Sequence, residues 1–414
     1  MTTGSDRAVE PAGMLATTFR AFGYRNFRLL WTGAFTSSTG TWLQEVAQSW
    51  LVYTLTGSTV LLGLTAFLGG APILLFSLLG GVVADRMDRR KLLLFSQYTQ
   101  MTTAFVLAFL LYLEKAQIWH ILVLTFVNGT AQAFGGPAYQ ALIPSLVEAR
   151  HLPNAVALMS IQFNLARVVG PVIAGFTMKW AGATACFALN GLSFVAVIFS
   201  LMMLKIDFIP KKTEERILIS LHEGLRFIYR HGSMLGLIVL SFACTGLGVP
   251  LITFLPTFAK DVFGLDSQGY STMLALSGGG AVVGALVVAW MGHIARKGLA
   301  ALLMMVALGI FVAGFSNSRF YTLSCLLLFL GGVALVSVFA MISSLVQLLA
   351  PEELRGRIVS VYNVAFRGGM PLGNLVTGFF ASAWSPEAAL LGNGVLLALV
   401  GVYFLIWQRE VRSL

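Results

Sequence analysis

The stretch Gly81-Val82-Val83-Ala84-Asp85-Arg86-Met87-Asp88-Arg89-Arg90-Lys91 decides how this chain is read. A run of about 20 apolar residues leads into this charged knot, and a second run starts at once with Leu92. Two membrane-crossing helices joined by a short basic turn follow from that pattern. Runs of the same kind recur along the whole sequence. They predict helices over 27–53, 60–84, 92–113, 118–140, 154–180, 183–204, 234–258, 271–291, 299–316, 320–348, 358–384 and 388–407. Nearly all reach the ~20 residues that ~30 Å of hydrocarbon requires. The expected architecture is an all-α membrane protein with twelve transmembrane helices, six on each side of a polar interruption.

Composition supports that class. The chain is 57% hydrophobic and 11% charged, whereas about a quarter of an average soluble domain is charged. Its mean hydropathy is +0.84. Forty-three glycines fit close helix packing in lipid. Cys186, Cys244 and Cys325 lie inside apolar runs without metal-ligand spacing, so buried free thiols are expected. Residues 1–19 show no apolar core of a cleavable signal peptide.

The interruption opens with Lys205, Asp207, Lys211, Lys212, Glu214, Glu215 and Arg216. In 217–230, apolar residues at 217, 218, 221, 225 and 228 share one helical face, which reads as a helix lying along the membrane surface or else as a tether. The expected division is an N-terminal segment 1–26, a bundle 27–204, a central loop 205–233, a second bundle 234–407 and a tail 408–414.

Charge orients the chain. With the N-terminus inside, the cytoplasmic loops collect Arg20, Arg25, Arg28, Arg86, Arg89, Arg90, Lys91, Arg150, Arg296, Lys297, Arg355, Arg357 and the basic residues of the central loop. The opposite side has Lys115, Lys179, Lys260 and Arg319. This is the positive-inside asymmetry, and it predicts both termini in the cytoplasm. It also accounts for the net charge of +10 by basic loops beside anionic lipid, so nucleic-acid binding is not expected.

The halves are related. Leu142-Ile143-Pro144-Ser145-Leu146-Val147 matches Met341-Ile342-Ser343-Ser344-Leu345-Val346. Ser160, Arg167 and Pro171 recur as Ser360, Arg367 and Pro371, each 200 residues on. Such a repeat supports two related halves.

The pattern Gly81-x-x-x-Asp85-Arg86-x-x-Arg89-Arg90 resembles the signature loop between helices 2 and 3 of the major facilitator superfamily, with Asp88 where most members carry glycine. Gln44-Glu45-Val46-Ala47-Gln48-Ser49-Trp50-Leu51-Val52-Tyr53 is similar to the first helix of the branch that includes drug:proton antiporters and the enterobactin exporter. Leu221-His222-Glu223-Gly224-Leu225-Arg226 looks like the segment before helix 7 of that branch. In the fifth helix, Gly170-Pro171 with Gly175 resembles the superfamily's antiporter motif, although Ala166 and Ala174 stand where glycine is common. The resemblance runs from about Arg20 to Trp407 and implies two bundles around a central cavity that opens alternately to each side. It implies proton-driven export of a small amphiphile, a drug or a siderophore, across a bacterial inner membrane.

By the same resemblance, Gly81 lets the second helix pack closely on a neighbour, helix 11, and Asp85 locks one gating state at a helix N-terminus. Arg86, Arg89 and Arg90 are expected to pair with acids or helix C-termini. Three ionisable residues fall within spans: Glu45, Arg167 and Arg367. A charge in hydrocarbon costs at least ~2.5 kcal/mol, so each should face a cavity or a partner. Glu45 either carries a proton in each cycle, or neutralises an arginine, or meets outer headgroups. The arginines either hold an anionic substrate group, or pair with Glu45, or satisfy backbone carbonyls. Further cavity candidates are Phe35, Trp42, Gln44, Gln48, Asn128, Gln132, Asn164, Tyr362, Asn363 and Asn374. Thr125 stands where drug antiporters usually carry an arginine, so their usual proton-coupling arrangement is not present.

Ser277-Gly278-Gly279-Gly280 lacks the flanking strand and Gly-Lys-Ser/Thr of a phosphate loop, and no nucleophile–base pair or HExxH stands out. Neither catalysis nor ATP drive, cofactor or metal is expected. The expected partners are a small amphiphilic substrate, protons and membrane lipids, with the chain acting as a monomer. A lipid flippase and a transport-inactive sensor are the rival readings. If Asp85 gates the transporter, Asp85→Asn slows turnover in liposomes while leaving the melting temperature in place; unchanged turnover would refute the gating role.

Overall fold

In the computed structural model residues 19–204, 225–290 and 296–414 are described, the side chains of Leu78 and Asp85 excepted. Twelve long helices run through them. They are α1 (Arg25–Thr56), α2 (Thr59–Arg86), α3 (Arg89–Tyr112), α4 (Ile118–Leu142), α5 and α6 within the run Leu152–Met202, α7 (Gly232–Val262), α8 (Ser267–Trp290), α9 (Lys297–Asn317), α10 (Tyr321–Leu349), α11 (Arg355–Ala383) and α12 (Pro386–Trp407). The run Leu152–Met202 breaks at Gly182, whose φ of 74° suits a residue without a Cβ; α5 is 152–181 and α6 is 183–202. The surface helix expected over 217–230 lies outside the described residues except for 225–230, which is helical.

Eight stretches are long and apolar enough to cross a membrane, one of them holding both α5 and α6. The helices missing from that group are α1, α4 and α11. These carry Gln44, Glu45 and Gln48, then Asn128 and Gln132, then Asn363, Arg367 and Asn374. They cross because neighbouring helices shelter their polar faces.

Two elements differ from the sequence reading. The charged knot at 81–91 is mostly helix: α2 continues through Arg86 and α3 begins at Arg89. The carboxylate of Asp88 caps α3, accepting from the backbone N–H of Arg90 at 2.9 Å and of Lys91 at 3.3 Å. In α7 the expected even helix is interrupted by two π turns, Cys244–Gly248 and Phe258–Val262, around short segments that begin near Pro250 and Pro256. Each proline removes a backbone donor, and the helix rewinds to accommodate the loss.

The helices form two six-helix bundles with matching internal contacts. In the first, α1 lies along α5 and α6, α2 on α4, and α3 on α4 and the α5–α6 run. In the second, α7 lies on α11, α8 on α10, and α9 on α10 and α12. Between bundles α2 meets α11 and α5 meets α8, pairs that exchange under a two-fold operation.

Close approach depends on missing side chains. A Cβ on Gly129 of α4 would lie 2.4 Å from the carbonyl oxygen of Gly69 in α2. By contrast, a Cβ on Gly81 would meet no atom of the described residues within 4 Å. Gly129→Val should therefore destabilise the bundle by about 1–3 kcal/mol, seen as a lower melting temperature in detergent. Gly81→Ala should melt as the parent does.

Candidate functional site

The near side is where α1 begins and α12 ends; the far side carries the α1–α2 turn. The surface of α11 changes along its length. In the stripe Ser360, Asn363, Arg367, Met370, the last three residues are exposed. One turn on, the same stripe continues as Pro371, Asn374 and Gly378, which are buried. There it packs on α2, with Gly70 against Pro371, Gly63 against the Asn374 carbonyl, and Thr59 Oγ1 donating to the Gly378 carbonyl at 3.2 Å. α5 does the same. Ser160 and Phe163 are exposed and Asn164 and Arg167 half-buried, whereas Pro171, Ala174, Gly175 and Met178 are buried. A Cβ on Gly175 would press on Ser271 of α8, and Lys179 Nζ donates to Gln268 Oε1 at 2.8 Å. The bundle-facing stripes are thus packed in the far half and open in the near half. A cleft opens towards the termini and closes on the far side.

Glu45 sits at the closed end. It carries accessible surface and lies within electrostatic reach of Arg167 on the open stripe of α5. The Arg167 guanidinium carbon stands 5.6 Å from the centre of the Trp42 ring, a cation–π distance. Phe163 meets Trp42 edge-on at 6.2 Å, and Phe35 stacks on Trp31 at 5.6 Å. Gln48 Nε2 donates to Thr125 Oγ1 at 3.0 Å, so the threonine at the drug antiporters' arginine position ties α1 to α4. The first-bundle wall of the cleft therefore offers a carboxylate, a guanidinium and aromatic faces. Asn363 and Arg367 lie on the second-bundle wall.

Three other expected cavity residues, Gln44, Tyr362 and Asn374, are placed in helix contacts. Gln44 accepts from Asn190 Nδ2 at 2.7 Å, inside the α1–α6 contact. Tyr362 is buried beside Ser241 of α7 and Ser343 of α10. Asn374 is wholly buried in the α2–α11 contact, its amide group without a hydrogen-bond partner. Asn164 Nδ2 is turned back to the Ser160 carbonyl at 2.8 Å. Asn128 and Gln132 are half-buried on α4. A recess of about 480 Å³ between α9 and α12, lined by Gly309, Ile310 and Leu399, opens on the outer surface, away from these groups.

The signature turn acts through helix ends. Arg89 Nη1 donates to the Ala141 carbonyl at the end of α4 at 2.9 Å, and Arg90 Nη2 donates to the Met202 carbonyl at the end of α6. Cations are favoured at those C-termini. Arg86 is exposed. Among the described residues the tight packing expected of Gly81 against α11 is not made in this conformation; Gly80 packs on the Ala133 carbonyl of α4 instead. The Asp85 side chain, expected to gate, lies outside the described residues. In the antiporter-like motif Gly170 abuts Trp42 and Thr39 of α1, and Gly175 abuts α8, so one helix joins the cleft wall to the bundle contact.

Sequence reasoning missed the far-side closure. The Tyr53 hydroxyl of α1 donates to the Asp261 carboxylate of α7, with Lys260 Nζ 5.7 Å from the Tyr53 ring centre. Trp50 stacks on Tyr270 of α8 at 5.7 Å and 17°. Tyr270 is buried, beside Ser49 and within electrostatic reach of Glu45. Glu45, Ser49 and Tyr53 follow at i, i+4 spacing on one face of α1. That spacing was legible; its partners on α7 and α8 were not.

Two bundles with a polar cleft between them define a membrane transporter of the major facilitator fold. The chain belongs to the transmembrane secretion effector family, whose model matches residues 16–412. It is 27% identical over 390 residues to the enterobactin exporter EntS of Shigella boydii serotype 4 (strain Sb227), covering 93% of this chain and 92% of that protein. The match to EntS of Escherichia coli O139:H28 (strain E24377A / ETEC) has the same identity and coverage. Among solved structures, a peptide transporter POT in complex with alafosfalin superposes with a TM-score of 0.78 at 13% identity, covering 94% of this chain and 95% of that one. A D-xylose–proton symporter superposes with a TM-score of 0.74 at 11% identity, covering 97% and 100%. These likenesses show the fold. The family and the relatives are transporters.

Removing the Tyr53–Asp261 bond should open the far side. Spin labels on the far ends of α1 and α7 should report a population shift of about tenfold towards longer distances in Tyr53→Phe, since a hydrogen bond to a charged group contributes about 1.5–3 kcal/mol. An unchanged distance distribution would show that this bond does not hold the closure.

Proposed function

We propose that this chain is a secondary transporter of the bacterial inner membrane that exports a small amphiphile, a siderophore foremost, in exchange for protons. Both termini lie in the cytoplasm, which makes the near side the cytoplasmic side and the cleft inward-open. The carrying observation is the place of Glu45: at the closed end of the cleft, within reach of Arg167, and one turn from Ser49 and the contact that seals the far side.

The chemistry follows from that placement. An ionised Glu45 offsets the charge of Arg167, and the two together are tolerable at membrane depth. Protonation removes the offset and leaves the guanidinium needing an anion or water. Each change alters the α1 face that carries Ser49, Trp50 and Tyr53 against the second bundle. A proton arriving from outside thereby resets the protein to the inward-open state once substrate has left. The hinges are Pro171 and Pro371, where both bundle-facing stripes pass from open to packed. The signature turn, with Arg89 and Arg90 anchored on helix ends, moves with the first bundle as a rigid piece. EntS relatives at 27% identity along nearly the whole chain support export and a siderophore-like substrate.

The test uses purified protein in liposomes with an imposed pH gradient and a lumenal pH dye. Ferric and iron-free siderophores, dyes and lipophilic cations are added in turn. Substrate-dependent proton flux in the parent, reduced at least about tenfold in Glu45→Gln, is expected for a coupling carboxylate. Flux that persists in Glu45→Gln would move the proton site elsewhere, and no proton movement with any substrate would refute the antiport reading in favour of lipid transport.

A further inference from the structure

Arg167 and Arg367 occupy equivalent positions in the two halves, yet their surroundings differ. Arg167 has Glu45 within electrostatic reach and the face of Trp42 beneath it. Arg367 is exposed, and among the described residues no carboxylate lies within electrostatic reach of it. Its exposure is not to lipid. On α11 the residues of the same stripe two and three turns on, Asn374 and Gly378, are packed against α2 of the other bundle, while Leu372, Val376 and Phe379 face outward on the opposite side of the helix. Arg367 therefore projects from the bundle-facing stripe into the cleft, with the exposed Asn363 one turn below it. A guanidinium kept at membrane depth without a partner is costly, and its cost is recovered when an anion binds.

We infer that the cleft takes an anionic amphiphile, with its anionic oxygens on Arg367 and its aromatic or apolar body against Trp42, Phe163 and Phe35 of the opposite wall. The inference rests on the transport reading for the existence of a cleft substrate, but it fixes the substrate's charge. Glu45 balances Arg167, so the cleft's three membrane-depth ionisable groups leave one positive charge for the ligand. A permanently cationic drug would meet that charge unfavourably. Export and binding would then divide between the walls: the first bundle holds the proton-exchanging pair and the second holds the anion. Guanidinium suits this role because its planar fork matches carboxylate oxygens two at a time.

The experiment is equilibrium binding to the full chain in nanodiscs, with no pH gradient. The probes are a naphthyl carboxylate, its uncharged amide and a naphthyl quaternary ammonium of similar size. The carboxylate should bind the parent more tightly than the amide, and the ammonium weakest. Arg367→Gln should weaken the carboxylate at least about tenfold and leave the amide within about twofold, while Arg367→Lys restores part of the loss. Equal binding of carboxylate and amide, an Arg367→Gln variant that binds the carboxylate as the parent does, or preference for the ammonium would each overturn the inference. Because no proton movement is measured, this result is separable from the liposome test. Proton-coupled flux of a neutral or cationic substrate would uphold the exporter and sink the anion site; anion binding without proton flux would do the reverse.

Discussion

Hydrocarbon rejects charge, and the structure is arranged around the charges that nevertheless sit within its span. Glu45, Arg167 and Arg367 are all placed on helix faces turned towards the other bundle, none on a face turned to lipid. The two bundles must lie together for those faces to have anything but acyl chains in front of them. Once together, they leave the stripes either packed or wet. The far half is packed by small residues and prolines, and the near half is wet. The cleft is the consequence of hiding polar stripes from lipid without burying them in protein.

The same stripes carry prolines and glycines at the points where they change. On α5 and α11 the change from open to packed falls at Pro171 and Pro371, which remove a backbone donor where a helix needs to flex. Glycines at the crossings let helices slide at backbone distance, as where Gly63 faces Asn374 and Gly175 faces Ser271. The far-side closure is made of different material: a phenol on a carboxylate, an ammonium over its ring and a stacked aromatic pair. These contacts are polar and few. Glu45 lies on the same face of α1 as these contacts. The buried amide of Asn374 in the α2–α11 seam has no hydrogen-bond partner among the described residues, which weakens that contact.

The signature turn shows how local and global chemistry divide. Asp88 caps α3 and the arginines grip the ends of α4 and α6, so the turn first holds the first bundle together. Among the described residues no atom lies within 4 Å of where a Cβ on Gly81 would sit. Space at that point is what a bundle needs if the near side is to close in another state.

Much of this was legible in the chain itself. Spans of hydrophobic length, the basic loops on one side and the 200-residue repeat determine twelve helices in two related bundles, because a helix must satisfy its own backbone in lipid. Charge within a span likewise picks out Glu45, Arg167 and Arg367 without any structure, since lipid penalises it wherever it faces. Tertiary structure alone decided which of these are partners. It put Gln44, Tyr362 and Asn374 into helix contacts, joined Tyr53 to Asp261 across some two hundred residues of sequence, and left Arg367 open where its twin Arg167 has an acid at hand. A one-dimensional pattern fixes depth and helix face, but distance to a partner depends on how helices from two bundles cross, and no spacing within one helix records that.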